Sequence, residues 1–299
     1  MTTTYTVIVT AYKEPDLVPK AIESIILSNS EIINKTQLIV VCGDDLTHMS
    51  ALHTLSGHNF DNFLVLKDNA QGKSEALNLA FKKATGDIWI MTDGDIYMSK
   101  DAISKLVTAF NNEQVVGATA NVRSLDNKNT FFGYYSHLFC DAANKYRLSK
   151  QSRNEFFSLS GYLYAIRKPS VLILPKGLMA EDDYISHLIY RSSLKFVYVH
   201  DAIAYVMFAK NLKDLFKQKL RSLGGNVQNQ RFFNTDKRSI FQDIKMSLFP
   251  LFYATNMKEL GYSFLIYPLR FYLWIAIYYQ HIFNNYKAGA WDRVESSKY

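Results

Sequence analysis

The chain has 299 residues, of which 48% are hydrophobic and 20% charged, so it can bury a sizeable core and is not a disordered protein. Residues 1–200 carry 20 basic and 20 acidic side chains, whereas residues 201–299 carry 14 basic and 7 acidic ones. The net charge of +7 therefore belongs to the C-terminal third, which is also rich in aromatic residues. This combination favours an anionic membrane surface as a partner, with nucleic acid as the second candidate.

The two cysteines and the N-terminal residues indicate the cellular compartment of the protein. Cys42 and Cys140 show neither paired nor metal-like spacing, which gives no support to a disulfide framework or a zinc site. Residues 1–4 lead into a strand-like pattern without the basic stretch and apolar run of a secretory signal. We therefore expect a reducing, cytoplasmic location.

In chain order, residues 1–125 alternate short β-branched runs with amphipathic stretches of helical length, which predicts an α/β fold with a mostly parallel sheet flanked by helices. The predicted strands are residues 5–10, 37–42, 63–66, 88–92 and 115–122. Asp16 is the expected N-cap of the first helix. A later helix over residues 74–84 is expected to end at a left-handed Gly86.

The rest of the chain is more helical. Residues 131–150 predict an aromatic helix, 157–166 a strand carrying Gly161, 181–191 a helix and 195–199 a strand. Residues 240–253 and 262–283 are rich in Phe, Tyr, Leu and Ile, and Pro268 and Arg270 interrupt the second run. We interpret both runs as interfacial helices in contact with a membrane. Spanning the bilayer and completing the soluble core remain open alternatives.

Polar residues follow four of the predicted strands, where ligands gather in parallel α/β sheets. They are residues 11–14, 43–45, 68–69 and 93–95. Asp93 and Asp95 flank a glycine directly after a buried strand. Two carboxylates offer hard oxygen ligands for a divalent cation, and a substrate pyrophosphate could complete the coordination. Taken alone, Asp-Gly-Asp is equally typical of an ordinary turn.

The sequence motifs that accompany this turn are more specific than the turn itself. Residues 7–14, 72–78 and 86–95, followed by Glu181-Asp182 and by residues 218–221, resemble in order and spacing the signature of family 2 glycosyltransferases with the GT-A fold. The resemblance covers about residues 5–225. It implies a catalytic domain over residues 1–235, with a nucleotide-sugar half (1–125) and an acceptor half (126–235). The C-terminal segment 236–299 would then supply the aromatic-rich helices.

The resemblance also implies roles on the donor side. Asp93 and Asp95 match the motif that binds Mn²⁺ or Mg²⁺ and the diphosphate. The other matching positions would contact base, ribose or phosphates: Thr10, Ala11, Tyr12, Glu14, Asp44 or Asp45, Lys73, Asn78 and Arg221.

On the acceptor side, inversion needs a base that takes the proton of the acceptor hydroxyl. The second residue of the family's acidic pair is that base, which points to Asp182, with Glu181 orienting it or contacting the acceptor. Gly161 and Gln218 match acceptor-side positions. Asp183 is expected to be an exposed neighbour. An acidic helix start stabilised by the macrodipole is the simpler alternative.

One departure bears on the product. Processive members of the family show Gln-x-x-Arg-Trp, whereas Ser222 follows Arg221 here. The missing stacking platform favours a single transfer to a lipid-linked or glycan acceptor at the cytoplasmic face of the cell membrane. A UDP-sugar is preferred to a GDP-sugar as the donor, because UDP-sugars are the more frequent donors in the family that the sequence resembles. The alternatives are a processive polysaccharide synthase and a non-catalytic nucleotide-sugar or membrane-surface binding protein. A nucleotidyltransferase would show a glycine-rich loop after the first strand, which residues 10–16 lack, and the neutral first 200 residues disfavour nucleic acid.

Overall fold

The structure is a computed structural model, and it describes residues 3–29, 31–58, 60–190, 194–233, 248–283 and 295–297. These residues form an eight-stranded sheet with the order β3-β2-β1-β4-β7-β6-β8-β5. The strands are β1 Tyr5–Ala11, β2 Thr36–Cys42, β3 Phe63–Lys67, β4 Ile88–Asp93, β5 Tyr97–Met98, β6 Val115–Ser124, β7 Leu163–Arg167 and β8 Lys195–Val206. Strand β7 runs antiparallel to β4 and β6, and β5 runs antiparallel to β8. The other pairings are parallel, so the mostly parallel sheet is confirmed.

Helices cover both faces of this sheet. They are α1 Val18–Ser28, α2 Asp45–Ser56, α3 Lys73–Phe81, α4 Ala102–Thr108, α5 Phe131–Ser152, α6 Glu181–Ile189, α7 Leu212–Phe233, α8 Phe249–Tyr253 and α9 Met257–Phe283. Successive residues of the central strands alternate between two apolar clusters, as Val7 and Ile8 show. Because both faces are buried, the strands read as continuous β-branched runs, and this is why their positions were predictable.

Two predicted helix ends are wrong. Helix α1 begins at Val18, and its N-cap is Leu17, which makes no side-chain cap. The carbonyl of Glu14 accepts from the N–H groups of Leu17 and Val18, so Asp16 is not needed as a cap. Helix α3 ends at Phe81, before Gly86. A Cβ at Gly86 would lie 2.4 Å from the carbonyl carbon of Tyr5. Gly86 therefore allows close backbone packing beside β1 and is not a left-handed cap.

Strand β7 joins the two halves of the sheet. It lies between β4 and β6 and pairs with both, so the first 125 residues do not form a separate sheet. The predicted strand over residues 157–166 is shorter in the structure, since β7 begins at Leu163 and Gly161 precedes it. The predicted domain boundary at residue 235 and residues 240–247 of the predicted interfacial run lie outside the described residues.

The C-terminal helices pack on α5. The Tyr134 hydroxyl and Ser263 Oγ are 2.7 Å apart, and Ser263 also donates to the carbonyl of Pro250 at 2.6 Å. Ile266 is buried in the same cluster. One face of α9 is thus fixed to α5 and α8. No helix in the described ranges combines the length and the hydropathy that crossing a membrane requires.

Candidate active site

The ends of β1 and β4 place the opening segment beside the Asp-Gly-Asp turn. Thr10 is the register partner of Asp93, and its hydroxyl donates to Asp93 Oδ1 at 2.9 Å. A Cβ at Gly94 would lie 2.6 Å from Ala11 Cβ and 2.9 Å from Glu14 Oε2. Only glycine permits this approach, so the turn is pressed against the segment after β1. An ordinary solvent-exposed turn would not require such close packing.

Lys73 connects the two acidic regions of the sequence. Its Nζ lies 2.7 Å from Asp93 Oδ1 and 3.0 Å from Glu181 Oε1, and the residue is 6% exposed. Burial alone would lower the pKa of Lys73, but the charges of Asp93 and Glu181 raise it above its ordinary value, so the amine is protonated. A solvated lysine in a first helical turn is therefore excluded.

The same ion pairs set the state of Asp93. Burial works against its ionisation, but the charge of Lys73 and the hydrogen bonds from Lys73 and Thr10 outweigh it and hold the pKa of Asp93 below its ordinary range. Asp93 is thus a carboxylate at neutral pH. Asp95 follows two residues later. Burial, followed by the charges of Cys140, Asp95 and Asp93, raises the pKa of Tyr162, while Arg221 opposes them.

Asp182 has the opposite electrostatic environment. Its Oδ2 accepts the N–H of Gly161 at 2.6 Å, and a Cβ at Gly161 would lie 2.9 Å from that oxygen. Burial, followed by the charge of Glu181, raises the pKa of Asp182 to about 6, with Lys73 opposing. One carboxyl of the site is therefore held ionised and another is poised to exchange a proton near neutral pH, a contrast that often marks acid–base assignments.

Arg221 completes the cluster from α7. Its Nη2 lies 3.8 Å from Glu181 Oε1, and its Nε donates to the carbonyl of Met179 at 3.3 Å. The four residues Lys73, Asp93, Glu181 and Arg221 come from α3, β4, α6 and α7. Gln218 lies on α7 before Arg221. Within the described ranges, no hydrogen bond connects its side chain to this cluster.

A second group of residues meets beside the carboxyl ends of β2 and β3. A Cβ at Gly43 would lie 2.7 Å from Tyr12 Cδ2 and 3.2 Å from Asp68 Oδ1. Asp68 accepts the N–H of Ala70 at 3.2 Å, and burial raises its pKa. The position of Asp68 after a strand was visible in the sequence, but no motif there gives it a role. The Tyr12 ring, the bare backbone of Gly43 and the Asp68 carboxylate thus lie together at this end of the sheet and are called the Tyr12 group below.

The two remaining acidic candidates on the donor side have different surroundings. Asp44 is the N-cap of α2, accepting from Thr47 N at 3.0 Å, and also accepts from Lys13 N at 2.5 Å. It therefore ties the opening segment to α2. The side chain of Asp45 is 77% exposed and pairs with Lys67 at the surface. Of the two alternatives, Asp44 is the one beside the Tyr12 group, since it directly follows Gly43.

Asn78 and Asp183 also make contacts that the sequence did not reveal. Asn78 donates to the carbonyl of Leu174 at 2.9 Å and accepts from its N–H at 2.8 Å, so it clamps a distant loop and is not part of the cluster. The Asp183 side chain is 19% exposed and bonds to Ser158 and Asn229, so its expected exposure is wrong.

Two buried polar atoms in the cluster have no hydrogen-bond partner in the part of the chain that the structure describes. They are the hydroxyl of Tyr164 and Oε2 of Glu181. Tyr164 lies on β7, and burial raises its pKa well above the ordinary value, with Lys73 opposing and the charges of Asp182 and Glu181 adding to the rise. Unsatisfied buried polar groups are rare in native proteins and typical of sites that bind a ligand. No sequence signal singles out Tyr164, because its pattern is that of a core strand residue.

The parallel sheet, the Asp-Gly-Asp turn at the end of β4 and the acidic start of α6 define the GT-A class of glycosyltransferase. A family model described as "Glycosyltransferase like family 2" matches residues 3–225. The chain belongs to this family.

Named relatives agree with the class. The chain is 22% identical over 242 residues to the poly-beta-1,6-N-acetyl-D-glucosamine synthase of Staphylococcus aureus, covering 79% of this chain and 58% of that protein. It is 24% identical over 226 residues to glycosyltransferase GlyA of Streptococcus pneumoniae, covering 72% of this chain and 32% of that one. The chain thus spans little more than half the length of the first relative.

Solved structures share the fold. A mannosyltransferase of Pyrobaculum calidifontis, in complex with GDP-Man and Mn²⁺, superposes with a TM-score of 0.70 at 17% identity, covering 95% of this chain and 88% of that one. The glucosyl-3-phosphoglycerate synthase of Mycobacterium tuberculosis, with Mn²⁺, UDP and phosphoglyceric acid, gives 0.50 at 15% identity, covering 76% and 78%. The predicted GT-A fold is confirmed.

Proposed function

We propose that the protein is an inverting glycosyltransferase that moves a sugar from a nucleoside-diphosphate donor to an acceptor hydroxyl. The observation that carries this proposal is the Asp182 carboxyl, which is partly buried, has a pKa raised to about 6 and follows Glu181, the residue that Lys73 links to Asp93. Asp182 would take the proton of the acceptor hydroxyl as that oxygen attacks the anomeric carbon. The bond from this carbon to the diphosphate breaks, and its electron pair leaves with the nucleoside diphosphate.

The carboxylate pair fits a divalent cation. Asp93 is held ionised and Asp95 lies near it, so the pair offers the oxygen ligands that Mn²⁺ and Mg²⁺ accept. Within the described ranges, three or more His, Cys, Asp or Glu residues do not gather into a metal cluster. A cation here would need further oxygens, and the donor diphosphate has them. When bound, the cation would neutralise the charge that develops on the leaving group. Arg221 and Lys73 add positive charge to the same region.

The Tyr12 group, formed by Tyr12, Gly43 and Asp68, suits a nucleobase. An aromatic ring can stack on the base, and a carboxylate can accept its N–H groups. Thr10, Ala11 and Glu14 contact the Asp-Gly-Asp turn, and Asp44 follows Gly43, which supports their assignment to the base and ribose. We favour UDP-sugars over GDP-sugars, and both are arms of the test below.

Donor binding should depend on the metal and on Asp95. Titration calorimetry with UDP, GDP and UDP-N-acetylglucosamine, each with and without Mn²⁺, should show nucleotide binding that strengthens at least tenfold with Mn²⁺. Asp95→Asn should remove this metal dependence, because the amide has no charge to offer. Asp61→Asn, at an exposed position, is the matched control. Absence of nucleotide binding by the wild type would overturn the enzyme assignment.

The acceptor is proposed to be a lipid-linked or glycan hydroxyl that receives a single sugar. Ser222 stands where processive enzymes carry tryptophan, and its hydroxyl donates to the Gln218 carbonyl at 3.0 Å. The named synthase relative keeps a processive polysaccharide synthase as the second candidate. Product length separates the two, because a processive enzyme would yield long polymers from the start of the reaction.

We place the enzyme at the cytoplasmic face of the cell membrane, in peripheral contact through α9. The inner face of α9 buries Ser263, Ile266 and Leu273. Its outer face exposes Phe271 at 65% and Trp274 at 63%. The other exposed large apolar residues of α9 are Met257, Phe264, Leu265, Tyr272, Ile275 and Tyr279. So much exposed apolar surface is unusual unless a partner covers it.

The chemistry of this face fits an anionic bilayer surface. Tyr and Trp prefer the headgroup level, and exposed basic residues lie on the same helix, Lys258 and Arg270. The C-terminal third carries the whole positive excess of the chain. Nucleic acid suits the face poorly because it offers aliphatic and aromatic groups more than a basic groove.

Flotation with vesicles tests this contact. The full chain should float with phosphatidylcholine–phosphatidylglycerol vesicles, less with phosphatidylcholine alone, and less at high salt. Phe271→Glu and Trp274→Glu should each reduce the floated fraction severalfold, since each puts a charge into the apolar layer. Leu46→Glu, at a site 69% exposed on α2, should not. Equal flotation of all variants, or none by the wild type, would contradict membrane contact through α9.

A further inference from the structure

The segment that carries Asp182 has little local support. It consists of residues 177–183 and includes the first turn of α6. Its N-cap, Ala180, offers no side-chain cap, and the first turn holds three acidic residues. The helix dipole favours negative charge there, but neighbouring carboxylates repel one another. The conformation of segment 177–183 must therefore be fixed from elsewhere in the molecule.

Helix α7 holds the main chain of this segment. The side-chain oxygen of Gln228 accepts from Met179 N at 2.9 Å, and its side-chain nitrogen donates to the carbonyl of Gly177 at 3.0 Å. Gly177 has a φ of 71°, so this amide fixes a left-handed bend. Arg221 Nε donates to the carbonyl of Met179 from the same helix.

Asn229, on the next position of α7, holds the acidic turn itself. It is 2% exposed, and its Nδ2 donates to Asp183 Oδ2 at 2.7 Å. The same nitrogen lies 3.5 Å from the carbonyl of Ala180. Ser158 donates to the other oxygen of Asp183, which fixes that carboxylate from two sides. The carboxyl of the preceding residue, Asp182, is thereby aimed at Gly161.

Glycine makes this contact possible. A Cβ at Gly225 would lie 2.4 Å from Ala180 Cβ and 3.2 Å from Ala180 N. Residues 221, 225, 228 and 229 have the spacing of one face of a helix, and this face lies against segment 177–183. Gly225 thus lets α7 reach the acidic turn.

We propose that Asn229 and Gln228 are positioning residues that set the carboxyl of Asp182 for proton transfer and link it rigidly to Arg221 on the donor side. This inference rests on the proposed role of Asp182 as the base. Neither amide reaches the donor-side residues, and both act through segment 177–183. Their loss should lower turnover and leave donor binding intact, because small displacements of a base cost rate steeply.

The test uses the full chain, Mn²⁺ and the nucleotide sugar that gives the fastest release of nucleoside diphosphate with water as acceptor. Asn229→Ala should lower kcat by roughly tenfold to a hundredfold, with the donor KM within about twofold. Asn226→Ala, an exposed asparagine on the same helix, is the matched control and should leave kcat unchanged.

Two further variants separate positioning from general damage to the fold. Asn229→Asp puts a carboxylate against Asp183 and should move the acid limb of the pH–kcat profile upward by about one unit. The double variant Asp183→Asn/Asn229→Asp reverses the polarity of the hydrogen bond at constant charge and should restore both kcat and the profile.

The outcomes separate the two proposals. A fully active Asn229→Ala in a working wild-type enzyme would overturn the positioning role alone. The positioning role would also be overturned if the double variant regained the wild-type melting temperature but not the wild-type kcat. This second result decides the question even if Asn229→Ala fails to fold. If the wild type and Asn226→Ala both bind donor but never release diphosphate from any nucleotide sugar, the proposed function itself fails.

Discussion

Asp182→Asn should lower kcat by a factor of about 10² to 10⁴, the range for loss of a general base, and leave the Kd for donor nearly unchanged. Asparagine keeps the shape of the side chain and an oxygen that can accept the Gly161 N–H, but it cannot take a proton. Diphosphate release gives kcat, and titration calorimetry with Mn²⁺ and donor gives Kd. Asp201→Asn, at a carboxylate whose side chain is 83% exposed, serves as the control. A parallel loss of donor affinity would instead indicate a structural role for Asp182.

The pH dependence of the wild type belongs to the same prediction. The base must be ionised, so activity should fall as the pH drops through about 6, the pKa to which burial raises Asp182. Since the folded-state pKa lies above the ordinary value, the protonated form stabilises the fold, and that contribution is lost as the pH rises through about 6. Asp182→Asn should therefore raise the melting temperature by a few degrees at pH 8 and by little at pH 4, measured by thermal unfolding.

The sheet was predictable because its chemistry is local. Each central strand is buried on both faces, so strands such as β2 and β4 appear as unbroken apolar runs with polar residues at their carboxyl ends. Parallel topology brings those ends to one edge, and the neighbouring positions of Thr10 and Asp93 follow from it. The ends of helices were less predictable. In the sequence Gly86 resembles a helix cap, but a glycine is needed there because its backbone packs closely against Tyr5, a contact that no local pattern encodes.

The contacts that adjust the site are long-range, and this is why the sequence did not reveal them. Lys73 has the pattern of a surface lysine, but the fold brings Glu181 and Asp93 to either side of it. Asn78 matched a donor-side motif, yet its amide clamps the backbone of Leu174. Asn229 is an ordinary polar residue in a helix, and only the approach permitted by Gly225 gives it the Asp183 carboxylate. Motifs suggest which side chains contact ligands, but the protonation state and the orientation of those side chains depend on residues that are distant in sequence.

Lys73→Met should be the most destabilising single substitution in the site. It removes the ammonium group that lies between Asp93 and Glu181 and leaves two acidic groups without their shared counter-charge. Loss of one partner of a buried ion pair costs about 3 to 5 kcal/mol. Urea unfolding at pH 8 should show a loss of this size. Lys82→Met, at the exposed end of α3, should change the free energy of unfolding by less than about 0.5 kcal/mol.

The loss in Lys73→Met should also depend on pH in a defined direction. The pKa of Asp93 is held below its ordinary value, so its ionised form stabilises the native state above that ordinary value and the contribution is lost as the pH falls through the lowered one. Without Lys73, only the hydrogen bond from Thr10 and the charge of Arg221 still oppose the effect of burial on Asp93, so its pKa should rise. The variant can then relieve the repulsion by taking up protons in mild acid, and the difference from wild type should shrink from pH 8 to pH 5. A difference that is constant with pH would mean that Lys73 contributes through packing of its stem, and that Asp93 owes its ionisation to Thr10 and Arg221.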